Sequence, residues 1–258
     1  MSTKSKIFII VAVSLFFVGI IAFESFYVLA PKRKADQVRE MVHSDSTYMK
    51  KYSSYLEHKE LFPLIKEIAY LEAQLETAQS DSIWLLVNVP EKSASIKIKS
   101  VEMHKSDVGK MKVDPFFYAL DPVTYRKIFS EPLVVRAQTS TVLKNPIVVK
   151  KAPKDTIEAM AQLTLPDSIR YNPAFVTLEL DYGIRLVLKQ AEKDSPEDKE
   201  ARDAFDKAYK KLQIENNIKS LYRKDYVYVP EIILELPKVE IHSIYRAIPE
   251  KASIVFSF

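Results

Sequence analysis

Four histidines, at positions 43, 58, 104 and 242, are the side chains of this chain that titrate near neutrality and could move a proton or hold a metal. His43 and His58 fall in a helical stretch, His104 in a strand-like segment and His242 near the end. No two of them stand at i, i+4 and no HExxH occurs, so only a meeting of His104 with His242 in space could build a site. Paired carboxylates could do acid–base work or bind a hard cation. Asp114 and Asp121 flank an aromatic loop, Pro115-Phe116-Phe117-Tyr118, while Asp194, Glu197 and Asp198 gather at a helix start. Turn and capping roles account for both groups. No serine lies in a GxSxG elbow. The chain has no cysteine, which removes thiolate zinc sites, iron–sulfur clusters, disulfides and a thiol nucleophile together. Only 3 glycines occur in 258 residues, too few for a Gly-rich phosphate cradle. No catalytic residue, metal site or cofactor is therefore expected.

These residues must be placed by a domain of real size, since 47% hydrophobic residues can fill a core. Ile83 to Val89 is a nearly continuous apolar run and reads as a buried strand; Ala94 to Lys99 alternates, with Ile96 and Ile98 on one face. Further strands are expected at Val101–His104, Leu133–Ala137, Ile147–Lys151, Phe175–Leu180 and Ile184–Gln190, the last two joined by a hairpin at Asp181-Tyr182-Gly183. A charged helix at about 195–221 opens on Ser195 as N-cap with Pro196 in its first turn. Strands at Tyr226–Val229, Ile232–Leu236, Val239–Ile244 and Ala252–Phe258 complete a β-rich α+β domain over 81–258.

Ahead of it, residues 7–30 read as a transmembrane anchor behind a short tail, 1–6. Ile7 to Phe23 carries no charge and no proline, and 24 helical residues at about 1.5 Å each span a hydrocarbon layer. A cleaved signal peptide is disfavoured by Pro31, directly after the small residues that cleavage would use. Lys4 and Lys6 on one side and Lys32, Arg33 and Lys34 on the other are read as membrane-flanking cations. The expected location is the inner (cytoplasmic) membrane, single-pass, with the following domain extracytoplasmic.

Residues 31–80 are expected to form a helical, coiled-coil-like stalk. Val38, Val42, Asp45, Tyr48, Tyr52, Tyr55 and Lys59 recur at 4-3-3-4-3-4 spacing with two polar lapses, and Leu61, Leu64, Ile68, Leu71, Leu75 and Ala78 repeat 3-4-3-4-3, with Pro63 marking a kink or a new helix. Glu67, Glu72, Glu76 and Lys66 sit off this seam. The seam could pair with a partner chain or pack on the chain's own domain. Leu61, Leu64, Ile68, Leu71 and Leu75 are the candidate partner-binding residues.

Basic residues, 38 against 34 acidic, are spread along the chain. The densest run, Lys144, Lys150, Lys151 and Lys154, lacks stacking aromatics, so no nucleic-acid partner is expected.

The segment Ile83 to Lys110 (IWLLVNVPEKSASIKIKSVEMHKSDVGK) resembles the first hairpin of L,D-transpeptidase catalytic domains over about 28 residues. That resemblance implies a peptidoglycan-associated module without activity, because the family's His-Gly-Cys segment has no counterpart and none of its site residues carries over. The plan of tail, span, stalk and β-containing domain is similar to bitopic scaffold proteins of bacterial envelope machines, such as the alignment proteins of type IV pili and type II secretion. The function expected from the sequence is thus a membrane-anchored, non-catalytic scaffold or assembly protein of a bacterial cell envelope. It would contact lipid through its first helix and a protein partner, or a second copy, through its stalk; peptidoglycan is the further partner that its β domain could bind.

Overall fold

The computed structural model describes residues 3–144, 171–223 and 228–258. The chain opens with α1 (Thr3–His43), α2 (Ser46–Tyr52) and α3 (Phe62–Ala78), the last two separated by short 3-10 turns. Four strands follow, β1 (Ile83–Asn88), β2 (Ser93–Ile98), β3 (Val101–Asp107) and β4 (Lys110–Val113). Then come α4 (Pro122–Phe129), β5 (Leu133–Ser140), β6 (Phe175–Leu180) and β7 (Arg185–Gln190). The long helix α5 (Pro196–Tyr222), β8 (Glu231–Leu236), α6 (Lys238–Ala247) and β9 (Ser253–Ser257) complete the described elements.

The nine strands lie in the order β3-β2-β1-β9-β5-β6-β7-β8-β4. Most neighbours are antiparallel, but β1 runs parallel to β9 and β7 parallel to β8. The two ends of that order, β3 and β4, are consecutive in the chain, linked only by Val108 and Gly109. At this link the Val108 amide donates to the Lys92 carbonyl (2.8 Å) and the Gly109 amide to the Glu235 carbonyl (2.9 Å). The sheet therefore curls back on itself. A second corner lies in β5, whose Leu133 and Val134 pair with β9 while the strand beyond a register shift at Val135/Ala137 pairs with β6. Such an irregularity bends a strand and sharpens its twist, letting one strand serve two parts of a sheet.

Strand periodicity sorts the side chains of β1 between two cores. Leu85 and Val87 join the main core, with Val176, Leu178, Leu186, Leu188, Ile232, Leu234 and Ile254 from other strands. Trp84 and Leu86 point the other way, where they meet Val255 and Ala73 of α3. The unbroken apolar run at Ile83–Val89 is explained by this burial on both faces. Trp84 satisfies its indole N–H on the Lys99 carbonyl at 2.9 Å. At the β6–β7 hairpin Tyr182 and Gly183 both take left-handed backbone, at φ 60° and 68°, the conformation for which a glycine is most useful.

Several expectations are corrected. The domain is a mixed α/β fold with a nine-stranded sheet rather than a mainly β domain behind an anchor and a stalk. A membrane crossing needs about 20 consecutive apolar residues; among the described residues no helix is long and apolar enough to cross a membrane. The anchor over 7–30, the single-pass location and the extracytoplasmic placement built on it fall with that finding. The segment belongs instead to a 41-residue helix that runs through Pro31. Val13, Leu15, Phe16, Phe17 and Val18 are exposed on its first half, whereas Ala35, Val38 and Val42 on its last turns enter the main core.

The stalk is likewise not evident among the described residues, because its first apolar series packs on the domain and α3 lies against the domain through Ile65, Ala69, Ala73 and Thr77. Val38 and Val42 are buried, Asp45 is the N-cap of α2, and Tyr48, Tyr52 and Tyr55 lie against the main core. Arg39 then ties α1 to the start of α4, donating through Nε to Asp121 at 3.1 Å. Val239–Ile244, expected as a strand, is helix α6. Its buried residues Ile241, Ile244 and Tyr245 follow the i, i+3, i+4 pattern of one helix face, which a short V-x-I-x-x-I run also imitates as a strand. The strand expected at Ile147–Lys151, with Lys150 and Lys154, lies outside the described residues, as does Tyr226 of the segment before β8.

Candidate interaction surface

Helix α3 begins where the sequence changes from an aromatic, charged stretch to helix formers, with Pro63 in its first turn, where a missing N–H costs nothing. Its interior-facing side is built from Ile65, Ala69, Ala73 and Thr77, all buried. The two alanines let the helix lie close over β1 and β9, and the Thr77 hydroxyl donates back to the carbonyls of Ala73 (3.2 Å) and Gln74 (2.9 Å). At 3.6 residues per turn, the opposite side carries the 3-4-3-4 leucine series. Leu61 is 39% exposed, Leu64 53%, Leu71 54% and Leu75 65%, with Ile68 half-buried between them. All five residues picked from the heptad spacing thus share one face, and that face is turned outward. The earlier apolar series, Val38 to Tyr55, packs on the domain, whereas the leucines of the later one are exposed.

The helix is held rigidly behind this ridge. Phe62 meets the Tyr125 ring edge-on at 5.6 Å between centroids. The Lys66 ammonium lies over both rings, 4.9 Å from Phe62 and 5.5 Å from Tyr125. Burial lowers the Lys66 pKa, as expected where an ammonium leaves water for aromatic faces. Glu72 is ion-paired with Arg126 of α4. Burial raises the Glu76 carboxyl above its ordinary range, and the neighbouring Glu131 carboxylate adds to the shift.

The flanking cations predicted around the first helix all fall within α1. Lys4 and Lys6 belong to the first turns of α1, and Lys32 and Arg33 are exposed. Lys34 is 8% exposed, its ammonium beside the Gly183 turn, where burial lowers its pKa.

Two clusters could look catalytic, and their geometry argues otherwise. The hydroxyl of Ser106 lies 3.1 Å from His104 Nε2, and the same Nε2 is 2.5 Å from Glu240 Oε2. A nucleophilic relay needs the serine on one ring nitrogen and the carboxylate on the other. Here both meet Nε2, and the serine hydroxyl donates directly to Glu240, so the Ser–His–carboxylate relay order is not formed. The cluster instead fastens α6 to β3. His242, expected as a possible partner of His104, turns to the carbonyl of Asn172 at 2.9 Å.

The second cluster lines a cavity of about 50 Å³ with Asp114, Tyr228, Glu231, Gln213 and Asn216. Tyr228 donates to Asp114 Oδ2 at 2.6 Å, and the Phe116 amide donates to Oδ1 at 2.8 Å. Arg185 pairs with Glu231 at 2.9 Å, and Gln213 donates to it at the same distance. Asn216 exchanges two hydrogen bonds with the backbone of Val229. Burial pushes the Asp114 carboxyl above its usual range, with the Tyr228 and Phe116 hydrogen bonds opposing. Space of this size holds a water or two and no organic substrate. The network's contacts join α5, the Pro115 turn and β7 to β8 and the residues just before it, a structural task.

Among the described residues no group of three or more His, Asp and Glu side chains is placed to hold a metal ion. The chain matches no protein-family model, no curated protein and no solved structure. Its functional reading rests on its own geometry.

What sequence reasoning missed is the placement of Lys66, which sits off the seam and folds back over the Phe62 and Tyr125 rings. The small residues Ala69 and Ala73, four apart and opposite the leucines, were the available signal for which side of α3 faces the domain.

Proposed function

We propose that this protein is a non-catalytic docking module that binds a partner protein on the outward leucine ridge of α3. The observation that carries the reading is that Leu64, Leu71 and Leu75 are exposed in register along a helix whose other side is fixed to the sheet, with exposed Leu61 just before its first turn. Scattered exposed apolar residues are ordinary, but a contiguous stripe rimmed by polar residues is the usual mark of an interaction site. The two clusters that might have supported an enzymatic reading are engaged in holding elements together.

Site-specific photo-crosslinking in the cells of origin tests it. A photoreactive residue at Leu64, Leu71 or Leu75 is expected to give discrete protein adducts, while one at the exposed Lys207 of α5 gives none. Identical patterns from α3 and α5, or no adducts from α3, would sink the proposal.

A further inference from the structure

We propose that a groove on the outer face of β4, β7 and β8 is a binding site for a small molecule carrying two or more phosphate groups. Period 2 fixes which residues face it. Ile232, Leu234 and Leu236 of β8 enter the main core, so Ile233 and Glu235 point the other way. Lys112 and Lys110 of β4 stand opposite Ile233 and Glu235, and Lys189 of β7 stands opposite Glu235 from the other side. Lys92 reaches the same groove from the turn between β1 and β2, which is pinned where the Lys92 carbonyl accepts from the Val108 amide at 2.8 Å. The groove encloses about 420 Å³, within the range of small-molecule sites.

Its lining holds four lysines and a single acid, Glu235. That acid is already answered by Arg202 at 3.0 Å and by Lys189 at 3.9 Å, and Lys189 also pairs with Asp206 of α5 at 3.1 Å. Among the described residues Lys92, Lys110 and Lys112 have no carboxylate partner. Lys112 also borders the smaller Asp114 cavity, but there the Asp114 oxygens accept from Tyr228 and the Phe116 amide, and Glu231 accepts from Arg185 and Gln213. Three ammonium groups thus converge on one concave surface, and an anion seated among them relieves their mutual repulsion. The type of donor chooses the anion. A carboxylate is matched best by the fork of a guanidinium, whereas separate ammonium charges suit the several oxygens of a phosphate. The guanidinium that meets Glu235, that of Arg202, is otherwise committed to the carbonyls of Gln190 and Ala191. No aromatic side chain lines the groove, so it lacks the stacking platform that a nucleic-acid strand uses.

The test titrates the full chain with tripolyphosphate, orthophosphate, citrate and a short oligothymidylate by isothermal titration calorimetry, with circular dichroism to confirm that each variant folds. Tripolyphosphate is expected to bind at one site, about tenfold or more tighter than orthophosphate or citrate, and to weaken as salt is raised. The combined Lys92→Gln, Lys110→Gln and Lys112→Gln substitutions are expected to weaken it about tenfold or more. Lys199→Gln, Lys207→Gln and Lys210→Gln together remove the same charge from exposed positions of α5 and leave the affinity unchanged. Absence of tripolyphosphate binding, binding that survives the groove substitutions, or an equal loss in the two triple variants overturns the site. Citrate bound as tightly as tripolyphosphate overturns the phosphate assignment. Oligothymidylate bound more tightly than tripolyphosphate, through the same three lysines, overturns the small molecule in favour of a nucleic-acid strand.

Discussion

Arg126 on α4 is ion-paired with Glu72 on α3 while its guanidinium lies 4.1 Å from the centre of the Tyr52 ring, so one side chain joins three parts of the helical layer. Arg126 is 9% exposed, and the flat faces of a guanidinium suit both contacts at once. The orientation of α3, and with it the outward set of its leucines, depends on this junction.

Substituting Arg126→Ala is expected to destabilise the protein by about 1–3 kcal/mol, because it leaves Glu72 half-buried without its cation and strips the Tyr52 ring of its cover. Arg126→Lys should recover only part of the loss, since an ammonium cannot stack and pair in the same geometry. Urea denaturation of the three proteins checks the order.

The two faces of α3 should respond oppositely to changes in side-chain size. Ala73→Leu forces bulk between the helix and Trp84, Leu86 and Val255, where overpacking costs about 1–3 kcal/mol. Leu71→Ala and Leu75→Ala, on the exposed face, should each change stability by no more than about 0.5 kcal/mol. Thermal melts that show the reverse order would mean that α3 is turned the other way.

Asp121 caps α4, accepting from the amides of Val123 and Thr124 at 3.0 Å and from Arg39. Burial alone would raise its carboxyl, but the Thr124 hydroxyl and amide, then Arg39, outweigh it and hold the carboxyl below the ordinary carboxylate range. With the folded value below the unfolded one, its contribution is present above about pH 4 and is lost as pH falls through the folded value. Asp121→Asn keeps a competent cap and removes the charge, so it should be less stable by about 1 kcal/mol near neutrality. Chemical denaturation at descending pH should show that gap closing.

Asp114 should behave with the opposite sign. Its carboxyl is raised by burial, so its contribution is fully present below the unfolded value and is lost as pH rises through the folded one. The permanently neutral Asp114→Asn keeps one oxygen for the Phe116 amide and turns its NH2 to the Tyr228 hydroxyl, which can rotate to accept. Its stability relative to the parent should therefore increase from about pH 4 to about pH 8, again by denaturation. A gap that moves the other way would contradict the burial of this carboxyl.

Much of the sheet was legible residue by residue. β6 has the bounds expected of it, Phe175–Leu180, and the turn at Asp181-Tyr182-Gly183 joins it to β7. Period 2 and a glycine at a left-handed turn are local signals, and they need no distant contact to be read. The α6 segment misled for the complementary reason: six residues of apolar spacing fit a strand or one helix face equally, and Pro237 with the burial of Ile241, Ile244 and Tyr245 decides for the helix. The heptad series of α3 was plain in the sequence, but which side of the helix faced the domain was not.

The sequence by itself determined the absence of thiol chemistry, the scarcity of glycine and the existence of an apolar seam at Leu61–Leu75, since all three follow from residue type and spacing. Only the tertiary structure decided where those residues go. Apolar surface is buried wherever a complementary surface happens to lie, and the hydrophobic effect has no direction of its own. Val38, Val42 and the tyrosines found that surface on their own sheet and helices, which turned an expected stalk into part of the domain. The leucines of α3 did not, because Ala69 and Ala73 already occupied the side that fits closely over β1 and β9, leaving the ridge exposed.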